Sequence, residues 1–209
     1  MTANQNQIMQ TIAQAVPTAM RGLLTPPEPV TKYPPKFAEW LEFQTFGDAE
    51  LELIVQGCWE WQQAFANRQP PRWLSILGKS GTGKTHCADK LFKWAVTKSD
   101  FSRAEFIHKK ILWPDFVQRL RAGNGYEMRD DLKRWPVLFL DDIGSERDTT
   151  GFATEELVTL LLTRMGRWTI ITSNKTPEAI SAIDERIYSR MIRGQNICLA
   201  VNTKDFSER

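Results

Sequence analysis

Eight consecutive residues, Gly78-Lys79-Ser80-Gly81-Thr82-Gly83-Lys84-Thr85, hold the densest chemistry in this chain. They follow an apolar stretch at 73–77 and open a helical pattern at Lys84, so the spacing G-x-x-x-x-G-K-[ST] falls between a strand and a helix. Glycines at these positions let successive backbone N–H groups turn inward around an anion, and a helix N-terminus adds its positive end. Lys84 supplies a compact charge for β- and γ-phosphates, and the Thr85 hydroxyl suits Mg²⁺. A nucleoside triphosphate is the ligand this pattern predicts.

A second feature lies roughly sixty residues downstream. Val137-Leu138-Phe139-Leu140 reads as a buried strand ending in two carboxylates, Asp141 and Asp142. A carboxylate at the tip of such a strand, beside a phosphate loop, holds Mg²⁺ through its water shell; that role falls to Asp141. Side chains alternate along a strand, so Asp142 points elsewhere and is suited to orient or deprotonate an attacking water. Another strand candidate at 168–172 runs into Ser173-Asn174, which puts a polar amide at a strand tip. Taken alone, Ser-Asn before Lys-Thr-Pro is a turn signal. Arg186, Arg190 and Arg193 recur at i, i+4 and i+7 and are expected to share a helix face. Such a face is either solvated surface or a source of charge for a neighbouring subunit's site.

Strands are expected at 73–77, 105–108, 137–140, 168–172 and 197–201, with helices at 48–67, 84–97, 114–122, 152–166 and 177–192. Alternation of this kind predicts a parallel sheet with helices on both faces. Hydrophobic content of 42% and charged content of 25% fit an ordinary globular domain, and a net charge of +2 requires any basic surface to be local. No apolar run has transmembrane length and the N-terminus lacks the pattern of a signal peptide, so a cytoplasmic protein without membrane contact is expected. Cys58, Cys87 and Cys198 are far apart, and neither a zinc site nor a disulfide framework is predicted.

These pieces together resemble the AAA+ ATPases, and within them the bacterial replicative-helicase loaders of the DnaC and DnaI type and the related transposition ATPase IstB. The likeness covers about residues 45–202. It rests on Gly78 through Thr85, on Leu138-Phe139-Leu140-Asp141-Asp142-Ile143-Gly144, on Ile171-Thr172-Ser173-Asn174, and on Glu185-Arg186-Ile187-Tyr188-Ser189-Arg190-Met191. The resemblance implies an α/β P-loop NTPase of three layers, with a five-stranded parallel sheet, a central phosphate-loop strand and no C-terminal helical lid. It makes ATP and Mg²⁺ the cofactors, Asn174 the sensor-1 residue, and Arg190 the leading arginine finger acting in trans, with Arg186 second. It further implies a homo-oligomer that loads a hexameric replicative helicase onto single-stranded DNA. The alternative is an IstB-like ATPase that binds duplex DNA and directs a transposase.

Two segments keep more than one reading. Residues 1–36 form an extension to an ATPase domain at 37–209: a stripe of Ile8, Met9, Ile12 and Val16, then a tether containing Pro26, Pro27, Pro29, Pro34 and Pro35. This extension either docks a partner or packs on its own domain. In the loader family, DNA contacts come from the segment after the second strand, here including Lys109, Lys110, Trp113 and Phe116. Basic and aromatic residues together can follow phosphates and stack bases, but the same aromatics suit the buried side of an amphipathic helix.

Overall fold

A computed structural model describes residues 32–98 and 110–208. The five strands are β1 (Trp73–Gly78), β2 (Lys110–Leu112), β3 (Val137–Asp141), β4 (Trp168–Ser173) and β5 (Ile197–Val201). The helices are α1 (Pro35–Leu41), α2 (Ala49–Ala66), α3 (Lys84–Lys98), α4 (Trp113–Arg121), α5 (Tyr126–Arg134), α6 (Phe152–Thr163), α7 (Pro177–Ile183) and α8 (Glu185–Met191), followed by a 3₁₀ turn at Phe206–Glu208. All strand pairings are parallel, in the order β2-β3-β4-β1-β5. The phosphate-loop strand β1 is therefore interior, paired on both sides, while β4 takes the middle place expected for it.

Pleating divides each strand between two apolar layers. Trp73 and Leu77 of β1, with Leu138 and Leu140 of β3, face the layer that contains Trp113, Phe116, Leu157, Ile180 and Met191. Leu74 and Ile76, with Val137 and Phe139, face the layer of Leu41, Leu51, Trp61, Leu91 and Phe92. Interior strands that are buried on both faces read as unbroken apolar runs, which is why the β1 and β3 cores were visible in the sequence.

Several elements differ from expectation for identifiable reasons. The single helix expected at 177–192 is broken at Asp184, whose extended backbone (φ −163°) and side chain cap α8 by accepting from Arg186 N at 2.8 Å. Helix α8 ends at Met191 with Ile192 as its C-cap, so Arg193 lies past its end. Helix α5 buries only Leu132 and is so rich in charged residues that few apolar positions mark it in the sequence. Pro34 caps α1 and Pro35 is its first residue, so the last two prolines of the tether start a helix. The strand expected at 105–108 lies outside the described residues, and β2 begins at Lys110.

Arg164, fully buried just after α6, ties three segments together. Its guanidinium donates to the carbonyls of Leu132 (3.3 Å), Trp135 and Trp168 (2.5 Å) and to the Thr169 hydroxyl (3.3 Å). Burial pushes its pKa down to about 9, which still leaves it charged at neutral pH. One side chain thus joins the entrances of β3 and β4 to the end of α5. Replacing it (Arg164→Met) removes donors from three buried carbonyls at about 1–3 kcal/mol each. A loss of at least about 3 kcal/mol is expected in urea denaturation, with no direct change at the phosphate loop.

Candidate functional site

The phosphate loop turns at Gly78, Gly81 and Gly83, which all have positive φ (124°, 71° and 81°). Gly78 also lies under the neighbouring strand: a Cβ there would stand 1.9 Å from the Val201 carbonyl oxygen. Lys79 N donates to that same carbonyl at 3.0 Å, anchoring the start of the loop to β5. Lys79, Ser80 and Gly81 are exposed, Thr82 is buried, and the Lys84 side chain is drawn inside the loop at 4% exposure. Lys84 Nζ donates to Lys79 O at 2.5 Å and lies 3.4 Å from Thr82 Oγ1. Burial lowers its pKa to about 8, against the opposing pull of Asp142 and Asp141. A cation so enclosed, beside the N-terminus of α3, matches an anionic ligand that neutralises it.

Asp141 is the hub of the site. Its Oδ1 accepts from Thr85 Oγ1 of α3 at 2.8 Å and from Thr172 Oγ1 of β4 at 2.5 Å, and its Oδ2 lies 3.1 Å from Lys110 Nζ of β2. Asp142 leaves the strand with a left-handed backbone (φ 60°) that a non-glycine residue rarely adopts. Its N–H donates to the other side of Thr172 Oγ1 at 3.1 Å. The Asp142 side chain turns to Asn174, whose Nδ2 donates to Oδ1 at 2.7 Å, and to Ser145, whose hydroxyl donates at 2.7 Å. The two adjacent carboxylates are thereby separated into different surroundings, by the left-handed turn at Asp142 and not by the strand alternation expected, since β3 ends at Asp141.

The Thr85 hydroxyl and the Asp141 carboxylate are hard oxygen donors that already touch. Mg²⁺ retains several waters and takes ligands from phosphates, so it needs few protein ligands. Among the described residues no cluster of three or more His, Cys, Asp and Glu side chains forms an all-protein metal cage. The donor set fits Mg²⁺ carried with a nucleotide.

The arginines of α8 lie apart from this hub. Arg186 is clamped within its own chain: Nη2 pairs with Glu155 at 2.6 Å and with Asp184 at 2.7 Å, and these carboxylates raise its pKa. Arg190 Nη1 donates to the Arg186 carbonyl at 2.5 Å and has no carboxylate partner among the ion pairs of the described residues. The expected DNA-stacking pair is a correction. Trp113 and Phe116 are 0% and 3% exposed and pack in the core, their rings 5.8 Å apart, because Pro114 starts α4 with its apolar side against the sheet. Lys110, grouped with them as a DNA contact, pairs with Asp141 and keeps 37% of its side chain exposed. Lys109 lies outside the described residues. The exposed face of α4 carries Asp115, Gln118, Arg119 and Arg121.

Sequence reading missed three contributors. Thr172 and Lys110 sit on strands whose register with β3 no local pattern reveals. The third is the segment after β5, which folds back over the loop. Phe206 N donates to Gly81 O at 3.0 Å, and the Asp205 carboxylate lies so near that a Cβ on Gly81 would meet it at 1.6 Å.

The phosphate loop, the Asp141–Thr85 contact and the 2-3-4-1-5 parallel sheet define an AAA+ P-loop α/β domain. Residues 58–198 match the model of the bacterial DnaA ATPase domain, and the chain belongs to that family. It is 28% identical over 137 residues to the chromosomal replication initiator protein DnaA of Francisella philomiragia subsp. philomiragia, a match over 65% of this chain and 28% of that protein. In fold it is similar to a replication initiator DnaA bound to AMPPCP and single-stranded DNA, with a TM-score of 0.60, 21% identity and coverage of 85% of this chain and 52% of the other. It is likewise similar to the DnaC helicase loader, with a TM-score of 0.56, 22% identity and coverage of 76% and 99%. The chain thus spans about half or less of the DnaA proteins it matches.

Thr172→Val keeps the shape of this buried side chain and removes both of its hydrogen bonds. Because one acceptor is a carboxylate, a destabilisation of about 2 kcal/mol is expected by chemical denaturation. Thr172→Ser, which restores the hydroxyl, should recover most of it.

Proposed function

We propose that this domain binds and hydrolyses ATP with Mg²⁺, and that its nucleotide state drives the loading of a replicative helicase onto single-stranded DNA in the cytoplasm. The observation that carries the ATPase reading is the division of labour between the two carboxylates. Asp141 is tied to the Thr85 hydroxyl of the loop helix, and Asp142 to the Asn174 amide.

In this reading Gly78 through Thr85 wrap the phosphates with backbone N–H groups, and Lys84 exchanges its contact with Lys79 O for the β- and γ-phosphates. Thr85 and, through water, Asp141 would hold Mg²⁺, which would supply positive charge to the phosphate oxygens. Asp142 accepts the proton of the attacking water, while Asn174 and Ser145 fix the direction of its carboxylate. Arg190 of a neighbouring protomer offsets the charge that develops on the γ-phosphoryl group. Arg190 is favoured over Arg186 because two carboxylates already occupy Arg186.

Support for a loader comes from the likeness to DnaC over nearly the whole of that chain. Residues 1–36 then serve as the docking segment for the helicase, ahead of an ATPase domain at 37–209. A second reading, an initiator-like protein that binds DNA, is favoured by the relatives' name, chromosomal replication initiator protein DnaA. DNA contacts in either case fall to exposed residues such as Arg119, since the α4 aromatics are buried.

Trans action has a direct test. Arg190→Ala should bind ATP as the wild type does and lose hydrolysis by about 10³-fold. Mixed with Lys84→Ala, which lacks a working pocket but keeps its arginine, it should regain part of the activity. No recovery at any ratio, with co-assembly shown by sedimentation, removes Arg190 from this role.

The loader reading is tested with a purified hexameric replicative helicase. The full chain should capture it, deletion of residues 1–32, which stops short of Tyr33 and the Pro34 cap of α1, should abolish capture while basal ATPase remains, and single strands should stimulate hydrolysis more than duplex. Stimulation by DNA with no helicase capture favours the initiator-like reading, and stimulation by duplex together with capture of a transposase favours the IstB-like one.

A further inference from the structure

Lys110 opens β2 in register with Phe139, and Leu112 is in register with Asp141. Parallel pleating therefore puts the Lys110 side chain on the face that Phe139 and Asp141 share. Its ammonium lies over the Phe139 ring, with Nζ 5.9 Å from the ring centroid, and 3.1 Å from Asp141 Oδ2. The Lys110 side chain is 37% exposed and that of Asp141 only 6%. Two hydroxyls already occupy Oδ1. The remaining oxygen, Oδ2, is the one the lysine pairs with.

Lysine offers a point charge on a flexible stem, so it can balance the carboxylate and still swing away. A fixed cation beside a carboxylate also opposes the approach of a second cation, and more strongly where water is partly excluded. We infer that Lys110 is a positioning residue for Asp141: it holds the carboxylate in place without metal, and it raises the Mg²⁺ concentration that nucleotide binding requires. Entry of the hydrated ion displaces the ammonium from Oδ2, while Thr85 and Thr172 keep Oδ1 in place. This inference rests on the reading of Asp141 as the water-mediated Mg²⁺ ligand.

The test is an equilibrium titration with Mg²⁺, following binding of a fluorescent, non-hydrolysable ATP analogue to the full chain. Lys110→Met retains an unbranched stem and removes the charge; it should lower the half-saturating Mg²⁺ concentration by about tenfold. Lys110→Arg keeps a cation and should stay near wild type, an outcome that a purely steric role would not separate from Lys110→Met. Should Lys110→Met not fold, as judged by circular dichroism, Lys110→Gln carries the same expectation. Wild-type binding that depends on Mg²⁺ with an unchanged midpoint in the neutral variants overturns the inference but leaves the Asp141 reading standing. Wild-type binding indifferent to Mg²⁺ overturns both. Loss of single-stranded DNA affinity in Lys110→Met with no shift in the Mg²⁺ midpoint makes Lys110 a DNA contact and likewise overturns the inference.

Discussion

Asp141 Oδ1 accepts from two hydroxyls, one on the first turn of α3 and one near the tip of β4, and the geometry of the site follows from that shared acceptor. A buried carboxylate must be hydrogen-bonded or neutralised, because an unpaired charge in apolar surroundings costs far more than a single hydrogen bond returns. Meeting that requirement brings the phosphate-loop helix, β3 and β4 to one point. The same Thr172 hydroxyl then accepts from Asp142 N, which helps hold Asp142 in its left-handed conformation and turns its side chain toward Asn174. One threonine thus connects the group suited to the metal and the group suited to the water. The charge of Asp141 is balanced from β2, by a lysine that approaches across the sheet.

The phosphate loop is held from outside as well as from below. Its first glycine lies against β5, where no side chain fits, and Lys79 N is bonded to the Val201 carbonyl. Beyond β5 the chain returns across Gly81, and Phe206 packs on Phe43 and Phe46, with ring centroids 5.1 and 5.6 Å apart. Asn202 N donates to Glu50 and Thr203 to Asp48, tying this return to the N-terminus of α2. Asp48 meanwhile caps α2 by accepting from Glu50 N and Leu51 N. Backbone N–H groups left free to meet an anion cannot stabilise the loop that carries them, so its shape depends on neighbours that bond the remaining backbone groups.

Motifs with fixed local spacing were legible in the sequence: the phosphate loop, the Asp141-Asp142 pair at a strand end, and Asn174 at another. Each reports a backbone path over a few residues, and the apolar runs before them mark strands buried on both faces. The α4 aromatics were not legible, since one helical period serves equally for a core face and for a base-stacking face. Burial decided for the core. Asp184 was missed as a helix break because Asp within an apolar period is ambiguous until its side chain is seen to accept from Arg186 N.

By itself the sequence determined the class of the fold, the phosphate loop and the two carboxylates, because strand, turn and helix there are specified by neighbours along the chain. Only the tertiary structure decided what surrounds those carboxylates. Thr172, Lys110 and Asp205 lie tens of residues from the groups they touch, and their places depend on strand order and register. It also separated the two arginines of α8, pairing Arg186 with Glu155 across 31 residues and leaving Arg190 without a carboxylate partner among the ion pairs of the described residues. Charge pairing acts through space, whereas local pattern extends only along the chain.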